Sequence, residues 1–178
     1  LVELHHEMFD PSRHLAEIAD VTVACVFKHD SLDGIVADIL AAAPPRFSIA
    51  GLSMGGYIAM AIMQAAPKRV NRLALLDTSA RPDTPEQRER RQQMMVASQA
   101  GEFRGVTSRL LPQFVHPDRL GDEALTGAIA AMAVRVGPEA FRRQQTALLE
   151  TARGHSTRCV ENDYVQTFRA EKERLIEE

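Results

Sequence analysis

The sequence has few cysteines, no long apolar run and little net charge. Its 178 residues include two cysteines, Cys25 and Cys159, and such spacing favours neither a disulfide framework nor a cysteine-ligated metal site. No apolar run is long enough to span a bilayer, and the N-terminus lacks the basic-then-apolar pattern of a secretion signal. A formal net charge of −3 argues against a nucleic-acid-binding protein, which would usually be basic. These absences predict a cytoplasmic protein without a metal, nucleic-acid or membrane partner.

What the sequence does contain is a core-forming composition and one distinctive turn. With 45% hydrophobic residues, the chain is predicted to form a single domain that buries a core. Residues 46–51 are a short, mostly apolar run, and residues 57–63 are apolar on all sides, which is typical of a buried helix. Between them stands Gly51-Leu52-Ser53-Met54-Gly55. The segment therefore predicts a strand, a sharp turn and a helix.

This order of elements is the context of a nucleophile elbow, in which a serine hydroxyl is lifted out of a strained turn. Glycines at 51 and 55 remove side chains that would collide there, and Gly56 extends the glycine pair. The helix start directs free N–H groups at the hydroxyl, so the N–H of Met54 is predicted to form half of an oxyanion hole. The structural alternative is a glycine-rich turn in which Ser53 only caps the helix.

Two phosphate-binding alternatives fail on single positions. A P-loop requires a lysine after its last glycine, but Tyr57 stands there. A dinucleotide-binding turn requires glycine at the position of Ser53.

Two further apolar runs predict strands on either side of the turn in sequence. Residues 21–26 are β-branched and unbroken, which indicates a buried parallel strand, and residues 70–76 supply a third strand. A short helix is expected to end near residue 19, and helical spacing of apolar residues predicts another over 32–40. Strands separated by helices predict a parallel sheet. Asp77 follows the third strand at the edge where such sheets place their sites, although a turn-capping aspartate is the alternative.

Four consecutive helices are predicted after residue 80. A capping box at Thr84-Pro85-Glu86-Gln87 starts the first, which ends near residue 100. The others are expected over about 102–111, about 121–136 and, beyond a break at Gly137-Pro138, to about 153. The basic run at 88–91 is typical of a solvated helix face.

The turn at 51–55, the segment Ala66-Pro67-Lys68-Arg69-Val70 and the run Leu-Ala-Leu-Leu-Asp-Thr-Ser-Ala-Arg at 73–81 resemble an α/β-hydrolase. The similarity is to the small, cap-bearing serine esterases and related hydrolases, and it covers roughly residues 5–150. It implies an α/β fold with a reduced parallel sheet and an inserted helical cap. The implied division is a core at 1–80, a cap at 81–153 and a charged helical tail at 154–178.

The resemblance implies hydrolysis of an ester, or a related acyl bond, of a small molecule, with Ser53 as the nucleophile and no cofactor. Asp77 is a candidate for the acid of the triad, because some members of the family place their acid after this strand.

The sequence departs from the family's pattern at both ends. The base of the family follows a late strand, but the pair Gly154-His155 follows a predicted helix, so the base histidine stays unassigned. Residues 7–11 resemble the segment that follows the central strand of the family's sheet. That strand is therefore expected before Leu1. The strands at 21–26 and 46–51 are then expected to pair directly, since buried backbone groups need partners.

The chain thus resembles a hydrolase cut at both ends. The alternative function is a catalytically incomplete fragment or pseudoenzyme that binds at most a small apolar ligand or a partner. A serine without a histidine base is a poor nucleophile. We therefore expect that a fluorophosphonate probe does not label the 178-residue chain.

Overall fold

The computed structural model describes residues 2–3, 17–99 and 110–151, which form a parallel sheet covered by helices. The strands are β1 (Val2–Glu3), β2 (Thr22–Val23), β3 (Phe47–Leu52) and β4 (Val70–Leu76). Their order across the sheet is β2-β1-β3-β4, and every neighbouring pair is parallel. The predicted α/β architecture with a parallel sheet is confirmed.

The strand between β2 and β3 comes from the first residues of the chain. Val2 pairs with Thr22 of β2 on one side and with Ile49 of β3 on the other. The expectation that this strand lies before Leu1 is therefore wrong, and so is the expectation that 21–26 and 46–51 pair directly. The physical reason is that β2 and β3 each present a row of backbone N–H and C=O groups toward the space between them. β1 fills that space and pairs with both rows.

β2 is shorter and more exposed than the sequence predicted. It covers only Thr22–Val23, both of which are exposed, and Cys25 is an exposed free thiol beyond its end. Val26 is the buried member of the run, at 6% exposure. β2 lies at an edge of the described sheet, and this position leaves Thr22 and Val23 exposed. Their β-branched side chains still favour a strand. The helix expected to end near residue 19 lies largely outside the described residues, and residues 17–19 form a turn and a bend.

Two helices pack against each other and build the core with the sheet. The first, α1 (Leu32–Ala42), begins after Ser31, whose Oγ accepts a hydrogen bond from the N–H of Gly34 at 3.2 Å. This bond satisfies one of the donors that a helix start leaves unpaired. The second, α2 (Met54–Ala65), is apolar along its length and contacts β3. The largest fully buried side chains belong to these elements: Ile35, Ile49, Ile58 and Ile62.

The later helices are α3 (Pro85–Gln99) and α4 (Glu123–Thr151), which contact each other. The capping box predicted for α3 is present: the Thr84 N–H donates to Gln87 Oε1 at 2.8 Å, and the Gln87 N–H donates to Thr84 Oγ1 at 3.3 Å. Gly137, with φ 77° and ψ 168°, interrupts α4 where the break was predicted. Most of the helix predicted at 102–111 lies outside the described residues.

Arg69 ties the end of α1 to the start of β4. Its guanidinium lies 5.6 Å from the ring centroid of Phe47 and donates to backbone carbonyls at the end of α1 and just beyond it. These acceptors are Leu40, Ala43 and Pro44, each at 2.8 Å, and Pro45, at 3.3 Å. A helix end leaves such carbonyls without intrahelical partners. Arg69 therefore fixes the segment that leads into β3.

Candidate active site

Ser53 lies between the last residue of β3 and the first residue of α2, at the carboxyl end of the strand, as predicted. Its backbone has φ 50° and ψ −111°, outside the regions that residues with a side chain prefer. Ser53 is exposed, and its side chain makes no capping hydrogen bond to the helix. Such strain costs on the order of 1–3 kcal/mol and persists where the surrounding structure enforces it. The capping alternative therefore loses the hydrogen bond on which it depends.

Gly51 and Gly56, on either side of Ser53, stand where the surrounding atoms leave no room for a Cβ. A Cβ on Gly51 would lie 2.3 Å from the carbonyl oxygen of Gly55 and 2.7 Å from the nitrogen of Gly56. A Cβ on Gly56 would lie 2.3 Å from Oγ1 of Thr78. Gly55 is itself buried in the first turn of α2. A side chain at 51 or 56 would thus force the turn apart.

The first turn of α2 begins directly after the serine. Met54 is the first residue of the helix, so its N–H has no acceptor within the helix. The N–H of Gly56 already donates to the Ser53 carbonyl at 3.0 Å. The Met54 N–H directly follows the exposed serine in the chain and is left without an intrahelical partner.

The segment after β4 lies beside the serine turn. The Ser53 N–H donates to the Leu76 carbonyl at 2.9 Å, and Thr78 Oγ1 donates to the Ser53 carbonyl at 2.8 Å. Asp77 between them is exposed and has φ 43°. Within the described part of the chain, its carboxylate has no hydrogen-bond or ion-pair partner. The structure thus brings Asp77 to the same end of the sheet as Ser53, and neither His29 nor His116 is hydrogen-bonded to it.

Two of the six histidines belong to the described residues, and neither is hydrogen-bonded to Ser53. His29 Nε2 lies 2.7 Å from Oδ2 of Asp38 on α1. His116 Nδ1 accepts a hydrogen bond from the N–H of Asp118 at 3.4 Å. His155 and three others lie outside the described residues: His5, His6 and His14.

A polar cluster formed by Asp83, Arg91 and Gln145 was missed by the sequence analysis. Arg91 donates to both carboxylate oxygens of Asp83, at 2.6 and 3.3 Å, and to Gln145 Oε1 at 3.1 Å. The Asp83 side chain is 7% exposed and that of Arg91 22%. The prediction that the run at 88–91 is simply a solvated face is therefore wrong for Arg91. A basic run carries no signal for which of its members meets a carboxylate from another segment.

Tyr57, on the first turns of α2, lies in the electric field of this cluster. Burial raises the pKa of the Tyr57 phenol, the negative charge of Asp83 raises it further, and Arg91 opposes both. The phenol therefore stays protonated at neutral pH and can only be a neutral hydrogen-bonding group there.

Residues 2–3, 17–99 and 110–151 contain neither a metal-binding cluster nor a membrane-spanning helix. No group of three or more histidine, cysteine or acidic side chains there could hold a metal ion. None of the helices in those ranges combines the length and apolar character required to cross a bilayer.

Comparison with known proteins finds similarity in structure rather than in sequence. No family model matches the chain, and no curated protein matches it. The enol-lactonase from Burkholderia xenovorans LB400 is similar with a TM-score of 0.69 and 21% identity, over 83% of this chain and 63% of that one. A malate-bound thermophilic esterase from Thermogutta terrifontis gives a TM-score of 0.67 and 22% identity, over 84% and 62%.

A hydrolase from Pseudomonas aeruginosa is similar at a TM-score of 0.56 and 17% identity, over 84% of this chain and 63% of that one. This chain thus spans less than two thirds of the length of each of the three structures. At these identities the likeness concerns the fold, and the chain has the α/β-hydrolase fold.

Proposed function

We propose that this protein is a serine hydrolase that cleaves an ester, or a related acyl bond, of a small molecule, with Ser53 as its nucleophile. The observation that carries the proposal is the backbone of Ser53, which is held at φ 50° between β3 and α2 with its side chain exposed. Strained residues of this kind cluster at active sites, and a serine at a strand-to-helix turn is the arrangement of the nucleophile elbow.

The proposed reaction begins with attack of the Ser53 hydroxyl oxygen on the acyl carbon, while a base removes the hydroxyl proton. The resulting oxyanion accepts a hydrogen bond from the Met54 N–H. Collapse of this intermediate expels the leaving group, which takes up the proton, and leaves an acyl ester on Ser53. Water then cleaves that ester, which releases the acid and restores the serine. The residue that acts as the base stays unassigned.

The proposed substrate class is supported by two of the similar structures. The names of those proteins are enol-lactonase and esterase, and lactones and esters share the acyl–oxygen bond that an activated serine attacks. Asp77 is proposed as the acid that orients the base, because it follows the strand next to β3 and is exposed at the same end of the sheet.

A second candidate function is favoured by one observation. Neither described histidine contacts Ser53, since His29 pairs with Asp38 and His116 with Asp118. The second candidate is therefore a catalytically incomplete form of this fold that binds a small apolar ligand or a partner.

The test of Ser53 should not depend on a histidine base. In a background of Cys25→Ser and Cys159→Ser, Ser53→Cys places a thiol at the turn, and a thiol is nucleophilic without a base. The helix start should lower the pKa of this thiol clearly below the ordinary value of about 8.5. We expect faster reaction with iodoacetamide at pH 7 than for Cys25 in the parent chain, and acylation by p-nitrophenyl acetate that mass spectrometry locates at residue 53.

Cys25 is the matched control because it is an exposed thiol in the same fold away from a helix start. If the Ser53→Cys thiol has an ordinary pKa and is not acylated, the proposed function is wrong. Fluorophosphonate labelling of the unaltered chain then separates the two candidates. Labelling that disappears in Ser53→Ala would show that one of the chain's own histidines is the base, and a His→Ala scan would identify it. An activated Ser53→Cys thiol without labelling of the parent would favour the incomplete form.

A further inference from the structure

The strained backbone of Ser53 is held from the side of β4. From Ser48 onward β3 and β4 pair without a shift to their carboxyl ends, where Leu52 pairs with Leu76, so the residues after the two strands meet. The Ser53 N–H donates to the Leu76 carbonyl at 2.9 Å, and the Thr78 hydroxyl donates to the Ser53 carbonyl at 2.8 Å. Both backbone polar groups of the serine are therefore bonded to the β4 segment.

Thr78 also touches the first turn of α2. An added Cβ on Gly56 would lie 2.3 Å from Oγ1, 2.4 Å from Cγ2 and 2.5 Å from Cβ of Thr78, so the threonine occupies the space that this glycine leaves open. The Gly56 N–H donates to the Ser53 carbonyl at 3.0 Å. The carbonyl of Ser53 thus accepts one hydrogen bond from the helix and one from Thr78.

The residue before Thr78 also has an unusual backbone conformation. Asp77, between Leu76 and Thr78, has φ 43°. Residues with a side chain rarely adopt a positive φ, and here the next side chain is hydrogen-bonded to the serine turn. Strained conformations persist only where several contacts fix them together, and Thr78 supplies two such contacts.

We propose that Thr78 is a positioning residue for Ser53. Its hydroxyl fixes the Ser53 carbonyl and its side chain fills the space beside Gly56, which together hold the backbone that presents the Ser53 side chain to a substrate. This inference deepens the proposed function and rests on it. Thr78 does not contact the reacting atoms, so it acts through the orientation of the serine.

The test compares substitutions that separate the hydroxyl from the methyl group. Thr78→Val keeps the shape and removes the donor, whereas Thr78→Ser keeps the donor and removes the methyl. Ser79→Ala is the matched control, because the Ser79 hydroxyl in the same segment accepts from the Arg81 N–H. The first readout is amide hydrogen exchange at Ser53 and Gly56 by NMR, which needs no catalysis. In Thr78→Val we expect exchange at these amides to be roughly tenfold faster, beyond any change in the amides of α1.

The second readout is alkylation at pH 7 in the Ser53→Cys background described above. We expect roughly tenfold slower reaction when Thr78→Val is added, and recovery to within about twofold with Thr78→Ser. Ser79→Ala should change neither readout. If Thr78→Val is too unstable to study, Thr78→Ser decides: loss of its exchange protection and thiol reactivity would overturn the proposal, and retention of both would support it.

The two proposals fail in different ways. Unchanged exchange in Thr78→Val, with a thiol of lowered pKa at residue 53, would refute the role of Thr78 and leave the proposed function standing. Accelerated exchange with an ordinary thiol pKa would refute the proposed function while showing that Thr78 fixes the turn. Equal effects of Thr78→Val and Thr78→Ser would assign the effect to packing and overturn the role of the hydroxyl.

Discussion

Gly51→Ala should destabilise the protein because the added methyl group meets backbone rather than side chain. The new Cβ would lie 2.3 Å from the carbonyl oxygen and 2.4 Å from the carbonyl carbon of Gly55. Real Cβ contacts essentially never fall below 3.0 Å, so the two atoms must separate by at least 0.7 Å, which is 3.0 minus 2.3. That movement would pull the first turn of α2 away from the end of β3.

The expected loss of stability is the sum of two destabilising contributions and one stabilising contribution. Overpacking of a well-packed site costs about 1–3 kcal/mol. Lengthening the bond from the Gly56 N–H to the Ser53 carbonyl, now 3.0 Å, costs about another 1 kcal/mol. The smaller conformational freedom of alanine in the unfolded chain returns about 0.4–1 kcal/mol. We therefore expect the free energy of unfolding to fall by roughly 2–3 kcal/mol, a large part of the 5–15 kcal/mol that is typical of domains.

The measurement is urea unfolding followed by circular dichroism, with Gly127→Ala as the control. Gly127 lies inside α4, and nothing lies within 4 Å of a Cβ added there. Alanine should therefore stabilise that helix by about 0.5–1 kcal/mol. A glycine-to-alanine substitution is thus expected to lower the free energy of unfolding at residue 51 and to raise it at residue 127. A Gly51→Ala variant within about 0.5 kcal/mol of the parent, roughly the error of such measurements, would contradict the steric explanation.

Three other predictions concern charged and titrating groups. Arg69→Lys should lower the free energy of unfolding by about 2 kcal/mol in the same assay, because one ammonium cannot bond the four carbonyls that the guanidinium contacts. Asp83→Asn should cost about 2–4 kcal/mol, since it leaves the largely buried Arg91 without its carboxylate, whereas Arg119→Gln, at a side chain 62% exposed, should cost less than about 1 kcal/mol. The Tyr57 pKa is raised by folding, so the folded state holds the proton longer and stability should fall as pH rises from about 10 through the folded pKa. This fall should be smaller in Tyr57→Phe; an equal fall in unfolding experiments across that range would contradict the assignment.

The features that the sequence alone determined depend on short-range sterics and periodicity. The turn at Ser53 was predictable because Gly51 permits a close approach to the backbone of Gly55, only four residues away. The capping box at Thr84 and the break at Gly137 are equally local, since each depends on hydrogen bonds or backbone angles within one helical turn. The parallel sheet followed from the alternation of strands and helices, which leaves few topologies.

The tertiary structure decided which distant segments meet. Val2–Glu3 is too short to be recognised as a strand from its sequence. It forms one because its backbone pairs with β2 on one side and with β3 on the other, and those backbone groups would otherwise lack partners. The contact of Thr78 with Ser53 joins residues 25 apart, and that of Arg91 with Gln145 joins residues 54 apart. Neither threonine nor a basic run carries a local signal of its partner. Such contacts exist because strand register and helix packing bring the groups within hydrogen-bond distance, and a buried polar group is stable only where a partner meets it.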